Sequence, residues 1–199
     1  MKKIKRIVYV IVILLFAFLY AYIAKNNNIY DKNVDSSDYI ATGVVYDGVI
    51  EQEFICTENT LDGVKLKAQV LGDVQNVQVG YSLIDDQTGE KVAEGKVKAS
   101  DIKSGKFFEF SFDTIEKCKG KKYTVALENI NAAENMGIGF YFQPTTEEGT
   151  SLVISDNDTE GTLILKAVTD RFDLETFVVL IIFIIYIVAF MKFLYRLFK

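Results

Sequence analysis

Apolar residues follow two different rhythms along this chain. At both ends they are continuous. Residues 7–24 (IVYVIVILLFAFLYAYIA) hold no charge over 18 positions. At ~1.5 Å per residue such a helix nearly crosses a ~30 Å hydrocarbon core. The second run covers 174–195, with an apolar centre at 176–191. Phe193 and Leu194 lengthen it if Lys192 snorkels to the headgroups, which sets Tyr195 at the interface. Ala17, Ala21 and Ala24 put small residues on one face of the first helix, a surface that another helix can approach closely. Between the two runs the rhythm is period two, broken by glycine and Asp/Asn turns.

The alternating segments read as strands. Ile50, Gln52, Phe54 and Cys56 alternate with Glu51 and Glu53. Val64, Leu66, Ala68 and Val70 alternate with Lys65, Lys67 and Gln69. Val77, Val79, Tyr81 and Leu83 alternate with Gln78, Gly80 and Ser82. Residues 85–90 (DDQTGE) signal a hairpin into a polar strand at 91–99. Further strands centre on Phe108, Phe110 and Phe112, on Tyr123, Val125 and Leu127, and on Ile138, Phe140 and Phe142. Residues 152–155 and 162–169 read as a closing hairpin. About nine short strands with one-sided alternation predict an all-β domain, an antiparallel sandwich whose core is filled by phenylalanines. The expected organisation is a tail (1–6), a transmembrane helix (7–24), a polar linker (25–38), an extracytoplasmic sandwich (39–173), a second transmembrane helix (174–195) and a tail (196–199).

The run Ile50-x-Gln52-x-Phe54, Leu61-x-Gly63-Val64-x-Leu66, Phe108-x-Phe110-x-Phe112-x-x-Ile115 and Gly120-Lys121-Lys122-Tyr123-Thr124-Val125 resembles a jelly-roll module of bacterial envelope proteins. It is similar to the carbohydrate-binding-module-like outer domains of Gram-positive membrane proteins of polysaccharide assembly. The resemblance implies a jelly-roll-like fold more firmly than a ligand.

Charge orients the two helices. Lys2, Lys3, Lys5 and Arg6 precede the first, and Lys192, Arg196 and Lys199 follow the second. The positive-inside rule puts both termini in the cytoplasm and the middle outside a plasma membrane. Residues 25–173 hold 15 basic and 26 acidic residues, a net of −11. Such a domain is a poor partner for nucleic acid or anionic lipid. The first helix reads as an uncleaved anchor: its apolar run exceeds the ~7–15 residues of a signal peptide, and bulky Tyr22 stands where a cleavage site wants a small residue.

Catalysis finds little footing. The chain has no histidine, so no Ser-His-Asp, Cys-His or histidine–metal site exists. No Gly-x-Ser-x-Gly elbow or phosphate-binding glycine loop occurs. A glycosidase-like carboxylate pair stays open among the 26 acidic residues, though most sit in turns and on polar faces. Asp156, Asp158 and Glu160 copy the start of a calcium loop with Gly161 at position six, but Ala167 stands where the bidentate glutamate belongs. A polar hairpin turn explains the same residues. Tyr46, Tyr81, Phe107 and Tyr141 are the aromatics expected to escape the core, and Gln52, Asn129, Asn131 and Gln143 the amides that would accompany them in a sugar site. Cys56 and Cys118, the only cysteines, are expected to meet at one end of the sandwich and form a disulfide.

The expected protein is a non-enzymatic two-span membrane protein without a cofactor. Its sandwich is an accessory or interaction module for a larger membrane partner or, alternatively, a binder of a cell-wall or surface polysaccharide.

Overall fold

The alternation builds two antiparallel sheets in the computed structural model, which describes residues 2–198. The strands are β1 (Tyr22–Asn28), β2 (Ile40–Ala41), β3 (Val49–Ile55), β4 (Thr60–Leu71), β5 (Gln78–Asp85), β6 (Glu90–Lys98), β7 (Phe107–Glu116), β8 (Lys122–Ile130), β9 (Gly137–Gln143), β10 (Ser151–Ile154), β11 (Asn157–Thr159), β12 (Thr162–Leu163) and β13 (Leu165–Phe172). The helices are α1 (Lys2–Ala21) and α2 (Leu174–Leu197). One sheet runs β1-β13-β4-β9-β12, with β2 on β9 and β7 on β4; the other runs β11-β10-β3-β8-β5-β6. From β3 to β10 every step except the β5–β6 hairpin changes sheets. This alternation is what makes the sandwich jelly-roll-like.

Period two explains the core. Val64, Leu66 and Ala68 of β4 face Phe110 of β7 and Phe140 of β9, while Phe54 and Tyr123 fill the space under the other sheet. Phe54, Phe110 and Phe140 are buried and Phe142 nearly so, as expected; Phe108 and Phe112 are only partly covered. Gln52 is fully buried in the same layer. It donates to the carbonyls of Glu53 and Ser151 and accepts from the Leu163 amide at 2.7 Å, tying β3 and β10 to β12 of the opposite sheet.

Several expectations need correction. Thirteen strands form among the described residues, against about nine. The closing hairpin is different: β10 turns at Ser155 and Asp156, both at positive φ, straight into β11, and 162–169 crosses to the other sheet as β12 and β13. Part of 25–38 is regular. Its first residues belong to β1, which pairs with β13, and Asp35 caps a turn of 3-10 helix at Ser36–Asp38.

Asn26–Thr169 forms one compact unit, and the two chain ends form another. In the second unit α2 is long and apolar enough to cross a membrane. Asp173 starts it by accepting from the Glu175 and Thr176 amides. The expected helix at 7–24 ends earlier, at Ala21, where the backbone becomes extended and Ala24 falls in β1. Its apolar part, Val8–Ala21, is about 21 Å long at the α-helical rise. Ala17 and Ala21 are buried in the packing of this helical unit. Lys199 and the side chains of Lys2, Lys3, Lys5 and Arg6, on which the expected orientation rests, lie outside the described residues.

Candidate functional site

The two sheets offer different outer faces. Pairing register explains the face of β3, β8, β5 and β6. Glu51, Ala126, Ser82 and Glu94 form one row across it, and Val49, Glu128, Gly80 and Lys96 the next. Gly80, Ser82 and Ala126 are small, so they leave a trough of about 740 Å³ walled by Glu51, Glu94, Glu128, Lys91 and Lys96. Tyr81 borders it but turns its ring inward, 5.3 Å from that of Phe110, and its hydroxyl donates to the Ser111 carbonyl. Among the described residues no aromatic side chain therefore faces the trough floor.

The outer face of the other sheet carries rings and ammonium groups together. Phe107 of β7 lies opposite Lys67 of β4, and Lys65 lies between Glu109 of β7 and Lys166 of β13. Tyr141 points outward from β9. Residues 29–39 cross this face and add Tyr30 and Tyr39. Tyr30 stacks on Phe107, at a centroid distance of 6.4 Å, and meets Tyr39 edge-on. Lys67 Nζ stands 4.8 Å from the Tyr39 ring centre and 5.4 Å from that of Tyr141. Lys166 Nζ stands 4.1 Å over Phe107. Burial, reinforced by the Lys65 ammonium, lowers the affinity of Lys166 for its proton. Lys65 is held by Glu109 at 3.0 Å. Among the described residues neither Lys67 nor Lys166 forms an ion pair. Phe107 is 38% exposed, so the cluster is open to a ligand.

The expected sugar residues are dispersed. Gln52 is consumed in the core. Gln143, fully buried, donates to Thr145 and Glu147 and accepts from Asp31. Asn129 donates to the Val45 and Ile138 carbonyls and accepts the Ile138 amide. Asn131 is an exposed left-handed turn residue and Tyr46 an exposed ring away from the cluster. Of the expected set only Tyr141 joins the ring–lysine face, together with Phe107. Tyr30 escaped sequence reasoning because 25–38 read as linker, and Tyr39, the first residue of the expected sandwich, because no strand was read before Ile50; two tyrosines beside Ile29 and Ile40 in an otherwise polar stretch were the available signal.

The cation residues do not converge. Asp156 sits in the two-residue turn, Asp158 pairs with Val153, and Glu160 lies beyond β11. A tight turn has no room to wrap a cation. Among the described residues no group of three or more potential ligands assembles. Cys56 and Cys118 do converge: their sulfurs lie 3.1 Å apart, both buried, as thiols that share the Glu58 carbonyl.

No protein-family model matches the chain, and no curated protein matches it. Among solved structures it is similar to the cysteine protease and lectin-like domains of Cwp84, a surface layer associated protein of Clostridium difficile, at 16% identity and a TM-score of 0.40, over 69% of this chain and 37% of that one. It is also similar to the infectious bursal disease virus VP2 subviral particle, at 10% identity and a TM-score of 0.31, over 73% and 40%. The chain spans less than half the length of either. At these values the likeness decides nothing about ligand, and the sandwich rests on its own strand pairing.

Proposed function

We propose that this chain is a non-enzymatic glycan-recognition module of a cell envelope, anchored by both helices with its termini in the cytoplasm and the sandwich outside. The observation that carries the reading is the open face on which Tyr30, Tyr39, Phe107 and Tyr141 gather beside lysines. The electron-rich face of an aromatic ring suits the weakly positive C–H edge of a sugar ring. Lys67 and Lys166, standing over these rings, add hydrogen-bond donors to the same face.

The accessory reading, in which the sandwich docks on a larger membrane protein, takes second place. The small residues that would admit a partner helix, Ala17 and Ala21, are already covered within the chain's own helical unit. The test is affinity electrophoresis of the detergent-solubilised full chain through gels containing neutral and acidic polysaccharides. Retardation by at least one polysaccharide, relieved by Tyr141→Ala with the fold intact, is the expected result. No retardation, with a membrane protein co-purifying in fixed stoichiometry, would return the accessory reading to first place.

A further inference from the structure

Resting on that reading, we infer that the glycan is acidic, its carboxylates or phosphates engaging Lys67 and Lys166 where these stand over Tyr39, Tyr141 and Phe107.

The exterior domain has a net of −11. Yet Lys65, Lys67 and Lys166 lie side by side on three neighbouring positions of β4 and β13. Like charges this close repel, and burial adds to the cost of the Lys166 ammonium. Only Lys65 has a carboxylate at ion-pair distance, from Glu109. The other two rest over ring faces, where cation–π attraction holds them without neutralising their charge. An incoming anion would relieve the repulsion and form charge-assisted hydrogen bonds at little reorganisation cost. Asp31 and Asp35 mark the acidic rim near Tyr39. Asp31 is engaged by Asn33 and Asp35 by the cap at Ser37.

The shape of the ligand follows from screening. At physiological salt a charge is felt over ~8 Å, so a narrow polymer on this strip meets mainly the lysines. A flat anionic bilayer or a nucleic-acid duplex would also meet the acidic remainder of the domain.

The test uses the full chain in a neutral detergent and two probes with one backbone: polygalacturonate and its methyl-esterified form. Titration calorimetry should show polygalacturonate bound at least about tenfold more tightly than the ester, with that preference falling as salt rises from about 0.05 M to about 0.5 M. Lys67→Gln combined with Lys166→Gln should weaken the acidic probe by about tenfold or more and leave the ester nearly unchanged. Glu51→Gln in the trough should change neither. Poly(glycerol phosphate) serves as a second acidic probe. Equal binding of acid and ester would overturn the inference while leaving glycan recognition standing. Preference for acid that survives the double lysine variant would overturn the site. Failure of every acidic probe would overturn the inference outright, and failure of the neutral ones as well would remove the glycan reading with it.

Discussion

At the residue scale the buried thiols are the most consequential pair. Cys56 directly follows β3 and Cys118 sits in the turn before β8, with the two backbones joined by bonds from the Cys56 amide to the Lys121 carbonyl and from the Gly120 amide to the Cys56 carbonyl. Burial, and then its bond with Cys56, pushes the Cys118 thiol up to about 12 from 9.0. A thiol so buried reacts slowly, so any oxidation belongs to folding and needs a disulfide-donating partner that takes up two electrons as both thiol protons leave. We predict that protein matured in an oxidising exterior has a mass about 2 Da below the reduced form. The bond would span 62 positions and add roughly 4 kcal/mol on the chain-entropy model. In the reduced protein the linkage has a definite sign. Below pH 9.0 the thiol is protonated whether folded or not. Above it the unfolded chain loses the proton while the folded one keeps it, so stability falls as pH rises toward about 12. Urea melts below and above pH 9 should therefore separate reduced from oxidised protein increasingly with pH. A constant gap would mean the thiols are not buried as described.

Gln52 makes a second test at this scale, because hydrophobic reasoning predicts the wrong sign. Gln52→Leu adds apolar character to a buried site, yet it leaves the Leu163 amide without its acceptor and removes the donor to Ser151. We expect a loss of about 2–4 kcal/mol by chemical denaturation, since unpaired buried polar groups cost more than a methylene gains. Sequence placed Gln52 correctly among inward positions but assigned it to a ligand. Alternation reports which face a side chain occupies, not whether backbone amides from 111 positions away consume it. The same limit misplaced Gln143 and Asn129.

At the element scale, strand positions were legible and pairings were not. Period two located most of the strands from Val49 to Gln143 because they have one buried face, while β6, which has no buried residue, was legible only through the hairpin signal before it. The hairpin expected from 152–169 failed for a local reason. Ser155 and Asp156 both adopt left-handed backbone, which closes a two-residue turn and consumes the loop that would have reached β13. Close backbone approach was equally invisible. At Gly139 in β9 a Cβ would lie 2.6 Å from the Gly43 carbonyl oxygen, where residues 42–43 cross the strand and Thr42 bonds the Phe140 amide. Gly139→Ala must push that crossing away, and we expect it to cost about 1–3 kcal/mol. Thermal melting against the neighbouring Tyr141→Ala, which removes only surface contacts, checks this. Equal small shifts would show that the crossing yields freely.

At the scale of the whole molecule, the proposed topology makes the sharpest demand. α2 is capped by Asp173 and carries Arg196 in its last turn. The apolar stretch of α1 is shorter, about 21 Å against a ~30 Å hydrocarbon core. A short span is tolerated when flanking basic side chains snorkel or the bilayer thins, at a fraction of a kcal/mol per ångström. Four basic residues precede the apolar stretch of α1, so snorkelling is available on the side the positive-inside rule assigns to the cytoplasm. The alternative places α1 outside, leaving a row of exposed side chains from Val8 to Leu15 facing water. Burying even half of that surface outweighs the mismatch at ~25 cal/mol per Å². We therefore predict that a cysteine at Ser36 is labelled by an impermeant maleimide in intact cells. One at Phe198 should react only after permeabilisation, as should one at Ile4, just before the apolar stretch. The buried native thiols serve as the silent background. Labelling at Ser36 and Ile4 together, with Phe198 protected, would mean that α2 alone spans and that α1 lies at or outside the outer surface. Glycan recognition would then survive on a single anchor, but the cytoplasmic placement of the N-terminus would not.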